Sequence, residues 1–150
     1  MRAFLCSSAI SLALYLSIAS AAADEMTPVG RWHAFDDKTG KETGIIEITP
    51  VGSTLEGKIV THVPQPDDPP NPTCDKCAGP DKGKPFLGLV IIKGFKKDGG
   101  NWDDGTILDP RSGGVYNAEI HVSNDGRELF LRGYIGISLL GHTVTWIRAE

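Results

Sequence analysis

The 150-residue chain lacks the features that identify most catalytic or nucleic-acid-binding proteins. It has no serine in a nucleophile-elbow context and no glycine-rich loop leading into a helix that could hold phosphate. It has 15 basic and 19 acidic side chains, and the basic ones form no run. This charge balance argues against nucleic acid or an anionic membrane as a partner. No stretch has the periodicity of an amphipathic helix. We therefore expect no enzyme of a recognisable class, no cofactor and no helical fold.

Long apolar runs are also missing, except at the amino terminus. Arg2 precedes an apolar stretch from Ala3 to Ala19, and three consecutive alanines ending at Ala23 fit the small-residue cleavage pattern. The alternative, a membrane anchor, would need about 20 apolar residues. We expect residues 1–23 to be a cleaved signal peptide, leaving no stable membrane anchor. Residues 24–150 would then form a single exported domain.

The remaining chain consists of short runs rich in β-branched residues and bounded by Gly, Pro and Asp, which predicts strands. The run at 116–122 alternates most regularly, and the run at 87–92 is apolar enough for a strand buried on both sides. Sequential antiparallel strands can remove their exposed edges by closing into an up-and-down barrel, and a sandwich is the alternative. The predicted strands are 29–35, 45–49, 55–62, 87–92, 102–108, 116–122, 129–134 and 142–148.

A proline-rich segment, residues 64–85, interrupts this pattern and is called the insert below. Long irregular segments of compact domains are usually functional or disordered. Cys74 and Cys77 lie within it at C-x-x-C spacing. Export favours a disulfide, which would brace the insert. A zinc site would need two further ligands, and a redox pair would want a helix to lower a thiol pKa.

Several short motifs occur in order along the chain: Gly30-x-Trp32, Asp67-Asp68-Pro69-x-Asn71-Pro72, Cys74-x-x-Cys77, Gly88-Leu89, Asp109-Pro110 with Gly113 and Tyr116, Leu131-Arg132-Gly133-Tyr134-x-Gly136 and Thr143-x-Thr145-Trp146-x-Arg148. In these motifs the sequence resembles a family of small exported bacterial proteins known as domain of unknown function 2147. The resemblance implies that the eight predicted strands form a lipocalin-like β-barrel, and it implies no particular activity.

Two residues match the lipocalin pattern individually. Lipocalin-type barrels carry Gly-x-Trp on the first strand and an arginine near the end of the last strand, and Trp32 and Arg148 occupy these places. The resemblance implies that the indole closes one end of the barrel and that the guanidinium lies across its face. Such a stack contributes about 1–2 kcal/mol when shielded from water. We expect both residues to be structural.

Arg132, Tyr134 and Tyr116 are the candidate ligand-binding residues. Arg132 and Tyr134 share one face of a strand whose other face carries Leu129 and Leu131. If the leucines point outward, Arg132 enters the barrel, where a ligand carboxylate would be a suitable partner. The opposite register leaves Arg132 solvated, and a shift of one residue exchanges the two arrangements.

Other polar clusters have simpler interpretations. Asp67, Asp68 and Asn71 offer oxygen ligands for calcium, but the prolines between them favour a rigid solvated turn. The four histidines fall on four different predicted strands: His33, His62, His121 and His142. We expect no metal site and no catalytic residue. Convergence of His62 with Asp67 and Asp68 in a cleft would favour an enzyme instead.

Together these features predict a periplasmic or secreted barrel that binds a small, largely apolar or carboxylate-bearing molecule without catalysis. The alternative is a module that binds another envelope protein. Such a module would use the insert and the apolar connection at residues 135–141, which is exposed unless it folds inward.

Overall fold

The structure, a computed structural model, describes residues 26–136 and 141–150. Eight strands follow one another along the chain: β1 Gly30–Phe35, β2 Glu42–Val51, β3 Thr54–His62, β4 Val90–Asp98, β5 Asn101–Leu108, β6 Val115–Val122, β7 Glu128–Tyr134 and β8 His142–Arg148. Each pairs antiparallel with the next, and β1 pairs with β8, so the sheet is a closed barrel. The predicted up-and-down barrel is confirmed. The proposed signal peptide lies outside the described residues.

Two strands differ from their predicted bounds by more than one residue. β2 continues through Pro50, which pairs with Leu55 beside an exposed two-residue turn, where the missing N–H is tolerated. β4 begins at Val90 rather than at residue 87, and Leu87 is 60% exposed. The apolar run therefore divides between a loop and a strand, and Leu89 of the loop is buried together with Ile91 and Ile92 of the strand.

Successive side chains of a strand point to opposite faces of the sheet, so every second residue of each strand faces the interior of the barrel. One end of the interior is filled by large side chains with no exposed surface, among them Trp32, Phe95, Ile48, Ile120 and Leu129. This end, called the base, carries the short turns between β2 and β3, β4 and β5, and β6 and β7.

Arg148 covers Trp32 at the base. Its Cζ lies 4.2 Å from the centroid of the indole ring. The indole Nε1 donates to the carbonyl of Pro28 at 2.8 Å, and Arg148 Nη2 donates to the carbonyl of Thr27 at 2.8 Å. Arg148 Nε also donates to the carbonyl of Gly126 at 2.6 Å. These bonds join the chain before β1 to the turn before β7 and seal the base.

The opposite end, called the mouth, carries the longer connections between β1 and β2, β3 and β4, β5 and β6, and β7 and β8. Residues 137–140, within the predicted apolar connection, lie outside the described residues. The insert belongs to the β3–β4 connection and is ordered by its own bonds. The backbone N–H of Cys74 donates to the carbonyl of Lys84, and its carbonyl accepts from the N–H of Gly83. The N–H of Phe86 donates to the carbonyl of Pro72 at 2.9 Å. The predicted disulfide between Cys74 and Cys77 is present.

Within the described residues, no helix is both long enough and apolar enough to cross a membrane.

Candidate functional site

An open cavity of about 550 Å³ lies at the mouth of the barrel. Its apolar lining comes from the mouth half of the strands and from Phe86, which directly follows the insert. The strand residues of this lining include Ala34, Ile46, Ile59, Ile91, Val144 and Trp146. Its polar rim consists of side chains from the β1–β2 and β5–β6 connections and from the insert, chiefly Asp36, Asp37, Lys38, Lys76, Asp109 and Arg111. The cavity thus has an apolar floor and a charged rim.

A second open cavity, of about 750 Å³, adjoins the first on the side of β5–β8. Both are lined by Asp37, Asp109 and Val144, so the two form lobes of one depression. The second lobe is lined further by Tyr116 and Tyr134. We call the first the insert lobe and the second the tyrosine lobe.

Asp68 ties the insert to the barrel. Its side chain is only 3% exposed, and it forms a two-pronged ion pair with Arg111, in which Nη2 lies 3.0 Å from Oδ2. Asp68 Oδ2 also accepts from the backbone N–H of Gln65 at 2.8 Å and lies 3.0 Å from His62 Nε2. One carboxylate therefore joins the insert, the end of β3 and the β5–β6 connection.

The bonds at Asp68 explain its electrostatics. The hydrogen bond from Arg111, ahead of the backbone bond from Gln65, lowers the pKa of Asp68 from its ordinary 3.8 to about 2. The same hydrogen bond raises the pKa of Arg111. Both groups are therefore charged at every pH at which the protein is expected to work.

Phe86 separates the cavity from the outer surface and is held by the partners of Asp68. The Cζ of Arg111 lies 5.8 Å from the centroid of the phenyl ring, and the ring of His62 meets it edge-on at 5.6 Å. Because Arg111 and His62 both bind Asp68, that carboxylate indirectly fixes one wall of the insert lobe.

The disulfide loop packs against the β5–β6 connection. Cys74 Sγ lies 3.2 Å from the carbonyl oxygen of Pro110. Gly113, at φ +75°, approaches so closely that an added Cβ would overlap the carbonyl of Lys76. The insert is therefore docked at two places: at Asp68 and at the disulfide.

Arg132 lies outside the barrel. Leu129 and Leu131 are buried in the core, so the alternating residue Arg132 faces outward. Its Nε lies 3.7 Å from Glu119, and its Nη1 donates to Thr143 Oγ1 at 3.2 Å. A ligand role for Arg132 inside the barrel required the opposite register, and the packing of the two leucines prevents it.

The structure brings Tyr116 and Tyr134 to the same lobe. Tyr116 lies on the inward face of β6, and Tyr134 lies at the mouth end of β7, where the strand gives way to the connection. Their contact with a ligand stays a prediction.

The histidines do not form a cluster. His33 lies 2.6 Å from Glu42, His121 lies 3.0 Å from Asn101, and His142 lies 2.7 Å from Asp37. In the part of the chain that the structure describes, no three His, Cys, Asp or Glu side chains are grouped to hold a metal ion. His62 and Asp68 do converge, but Asp67 is exposed and does not join them.

An outward-facing groove of about 970 Å³ runs between the end of β3 and the insert. Its walls include five prolines of the insert and Leu87. Phe86 and His62 line both this groove and the insert lobe, so these two rings separate them.

Sequence reasoning missed Arg111, Phe86 and Trp146 as cavity residues. Trp146 was recoverable, because it lies two residues before Arg148 on β8, so the two share a face and Trp146 faces inward. Arg111 lies in a turn 43 residues from Asp68, and no local pattern indicates their pairing.

Residues 30–148 match the protein family described as "Uncharacterized protein conserved in bacteria (DUF2147)". The chain belongs to this family. A solved structure described as "Protein HP1028 from the human pathogen Helicobacter pylori belongs to the lipocalin family" is similar to this member, with a TM-score of 0.69. The likeness covers 81% of this chain and 82% of the other at 16% identity, and therefore shows the fold alone. No curated protein matches the chain.

Proposed function

We propose that this protein binds a small, largely apolar molecule at the mouth of its barrel, without catalysis, in the bacterial periplasm. The open cavity carries this function. The insert lobe and the tyrosine lobe each fall in the range of roughly 300–1,000 Å³ that small-molecule sites occupy. An apolar floor with a few polar groups at the rim is the usual construction of such sites.

The filled base limits the ligand to the mouth half of the barrel. Trp32 and Phe95 have no exposed surface, so a ligand cannot extend past them without displacing the core. The ligand would rest its apolar part on Trp146, Ile46 and Val144 and place any polar group at the rim. Burial of its apolar surface would supply most of the affinity.

The bonding of His62 and Asp68 supports a role without catalysis. A general base must reach the proton that it removes from a substrate. Both oxygens of Asp68 are already bonded, and its side chain is almost wholly buried. The pair therefore fits a structural role, in which Asp68 holds the insert against the barrel, better than a catalytic dyad.

Export supports the periplasmic setting. The predicted signal peptide would direct the chain out of the cytoplasm, and the disulfide suits an oxidising compartment. The family is bacterial by description.

Native mass spectrometry of the protein purified from its own periplasm, followed by solvent extraction, tests this function. We expect a stoichiometric small-molecule adduct. Val144→Trp should fill the junction of the two lobes and reduce the occupancy. Ile147→Trp is the matched control, because Ile147 lies on the same strand and is exposed. Failure to find an adduct with gentle handling would contradict a binding barrel.

The outer groove favours a second candidate, an envelope protein-interaction module. Leu87 and Ile135 are exposed apolar residues near the mouth, and Leu87 borders the groove. Of the apolar connection at 135–141, residues 137–140 lie outside the described residues. This candidate predicts an apo mass together with a crosslinked envelope protein whose yield falls in Leu87→Ser.

A further inference from the structure

The charges around the cavity indicate what kind of head group its ligand carries, an inference that rests on the proposed binding function. We propose that the ligand joins its apolar body to a neutral or positively charged hydrogen-bond donor, and that Asp68 excludes carboxylate ligands by occupying Arg111. A carboxylate-bearing ligand, one of the two classes expected from the sequence, is thereby disfavoured.

Arg111 is the cation at the rim whose shape best suits a carboxylate, because its guanidinium can donate two parallel hydrogen bonds. Asp68 already accepts such a pair from Nη1 and Nη2. A ligand carboxylate could use Arg111 fully only by displacing Asp68. It would then leave a nearly buried carboxylate without its main partner, and breaking a buried ion pair on one side is strongly unfavourable.

The remaining acids reinforce this exclusion. Asp36 and Asp109 also act on Arg111, since their charges contribute to raising its pKa after those of Asp68. Asp37 and Asp109 line both lobes where these meet. A carboxylate placed at this junction would face two acidic side chains and no unoccupied guanidinium from Arg111.

Two lysines oppose these acids only in part. Lys38 and Lys76 are exposed and line the insert lobe but not the tyrosine lobe. Exposed ammonium groups on flexible stems bind anions weakly, because water and salt screen them.

A donor group suits the junction of the lobes. Each carboxylate offers about four acceptor positions, so Asp37 can accept from a ligand while it keeps its 2.7 Å contact with His142. An ammonium or hydroxyl group at the rim would donate to Asp37 or Asp109, with the apolar body directed toward Trp146.

Three probes with one tail and different heads test the proposal: decanol, decylammonium and decanoate. Binding is measured by isothermal titration calorimetry at neutral pH, below the concentration at which each probe forms micelles. The protein is produced from its whole coding sequence in a bacterial host. We expect decanol and decylammonium to bind at least about tenfold more tightly than decanoate. This comparison needs only the wild-type protein, so it does not depend on the folding of any variant.

Asp68→Asn then tests the role of Asp68. Without the charge of Asp68, the guanidinium of Arg111 becomes available, and the affinity for decanoate relative to decanol should rise about tenfold. Asp67→Asn is the matched control, because it makes the same chemical change at the adjacent, exposed position. It should leave the ratio unchanged.

The outcomes separate this inference from the proposed function. The inference is overturned, while the binding function stands, if decanoate binds wild-type protein as tightly as decanol does. It is also overturned if Asp68→Asn raises the affinity for decanoate relative to decanol no more than Asp67→Asn does. If none of the three probes binds, the proposed binding function fails and the inference fails with it.

Discussion

Asp68 connects residues that are far apart in the sequence through a single carboxylate. Such a group is stabilising only while it is charged, because its partners Arg111 and His62 are arranged for an anion. Its pKa is lowered to about 2, below the ordinary 3.8. The ion pair therefore contributes fully to the free energy of unfolding above about pH 4, and the contribution is lost as the pH falls toward about 2.

Asp68→Asn should lower the free energy of unfolding at neutral pH by about 1–2 kcal/mol. The difference between the variant and the wild type should shrink as the pH falls from about 4 to about 2, because the wild-type carboxyl then becomes protonated. Urea unfolding at a series of pH values measures both effects. The free energy of unfolding of Asp67→Asn should follow the wild-type dependence on pH. An Asp68→Asn curve parallel to wild type at every pH would contradict a stabilising charge on Asp68.

Gly105 is the residue against which Phe95 packs. An added Cβ would overlap the phenyl ring of this fully buried side chain. We expect Gly105→Ala to destabilise the barrel by about 1–3 kcal/mol through overpacking. Thermal unfolding checks this value against Gly100→Ala, whose surroundings are open and whose effect should stay within about 0.5 kcal/mol. Equal losses of stability in the two variants would contradict overpacking at Gly105.

Residue roles could be predicted where a local pattern decides them. Trp32 and Arg148 follow from a motif at each end of the chain, and in the structure they are in contact. The orientation of Arg132 could not be predicted, because a shift of one residue in the register of the strand reverses it. In the structure Leu131 is buried, so Arg132 faces outward. Asp68 looked like part of a solvated turn, because its partner Arg111 is distant in sequence.

The insert forms a hairpin-like unit of its own. Thr73 bridges to Pro85, and the disulfide closes a short loop beside that bridge. A loop this short constrains the unfolded chain only modestly, with about 2 kcal/mol of stabilisation. Its effect should therefore be local.

The double variant Cys74→Ser/Cys77→Ser should increase amide hydrogen exchange in residues 72–86 much more than in the strands. Hydrogen exchange followed by mass spectrometry resolves the two regions. Wild-type protein treated with a reductant provides the control and should show the same pattern. Equal acceleration in the insert and in β6 would show that the disulfide stabilises the whole barrel instead.

Strands were predicted well where alternation is regular, as in β6, and poorly where composition misleads. Pro50 was expected to end β2, but the strand passes through it because the position is exposed at a hairpin end. Leu87 was assigned to a strand because apolar runs look alike whether they are buried or lie in a loop. The order within the insert depends on hydrogen bonds among turn residues, which leave no periodic signal.

At the scale of the whole molecule, the seam between β1 and β8 is the shortest pairing in the barrel. It joins Trp32 to Arg148 and His33 to Ile147. Arg148 compensates for this short ladder, because its guanidinium binds the carbonyls of Thr27, Val29 and Gly126 and covers the indole.

Arg148→Met should lower the free energy of unfolding by about 2–4 kcal/mol, since both the stack and the hydrogen bonds are lost. Urea unfolding measures the loss. Arg31→Met is the control, because Arg31 is exposed and its ion pair with Glu47 is on the surface, where such pairs contribute about 1 kcal/mol or less. Similar losses in the two variants would contradict a sealing role for Arg148.

The sealed base has a consequence for the kinetics of ligand exchange. Because Trp32 and Arg148 close one end of the barrel, a bound molecule and its competitor would have to use the same opening. The competitor could enter only after the first molecule had left. In a displacement experiment, the observed rate would therefore equal the dissociation rate and would not increase with the concentration of the competitor.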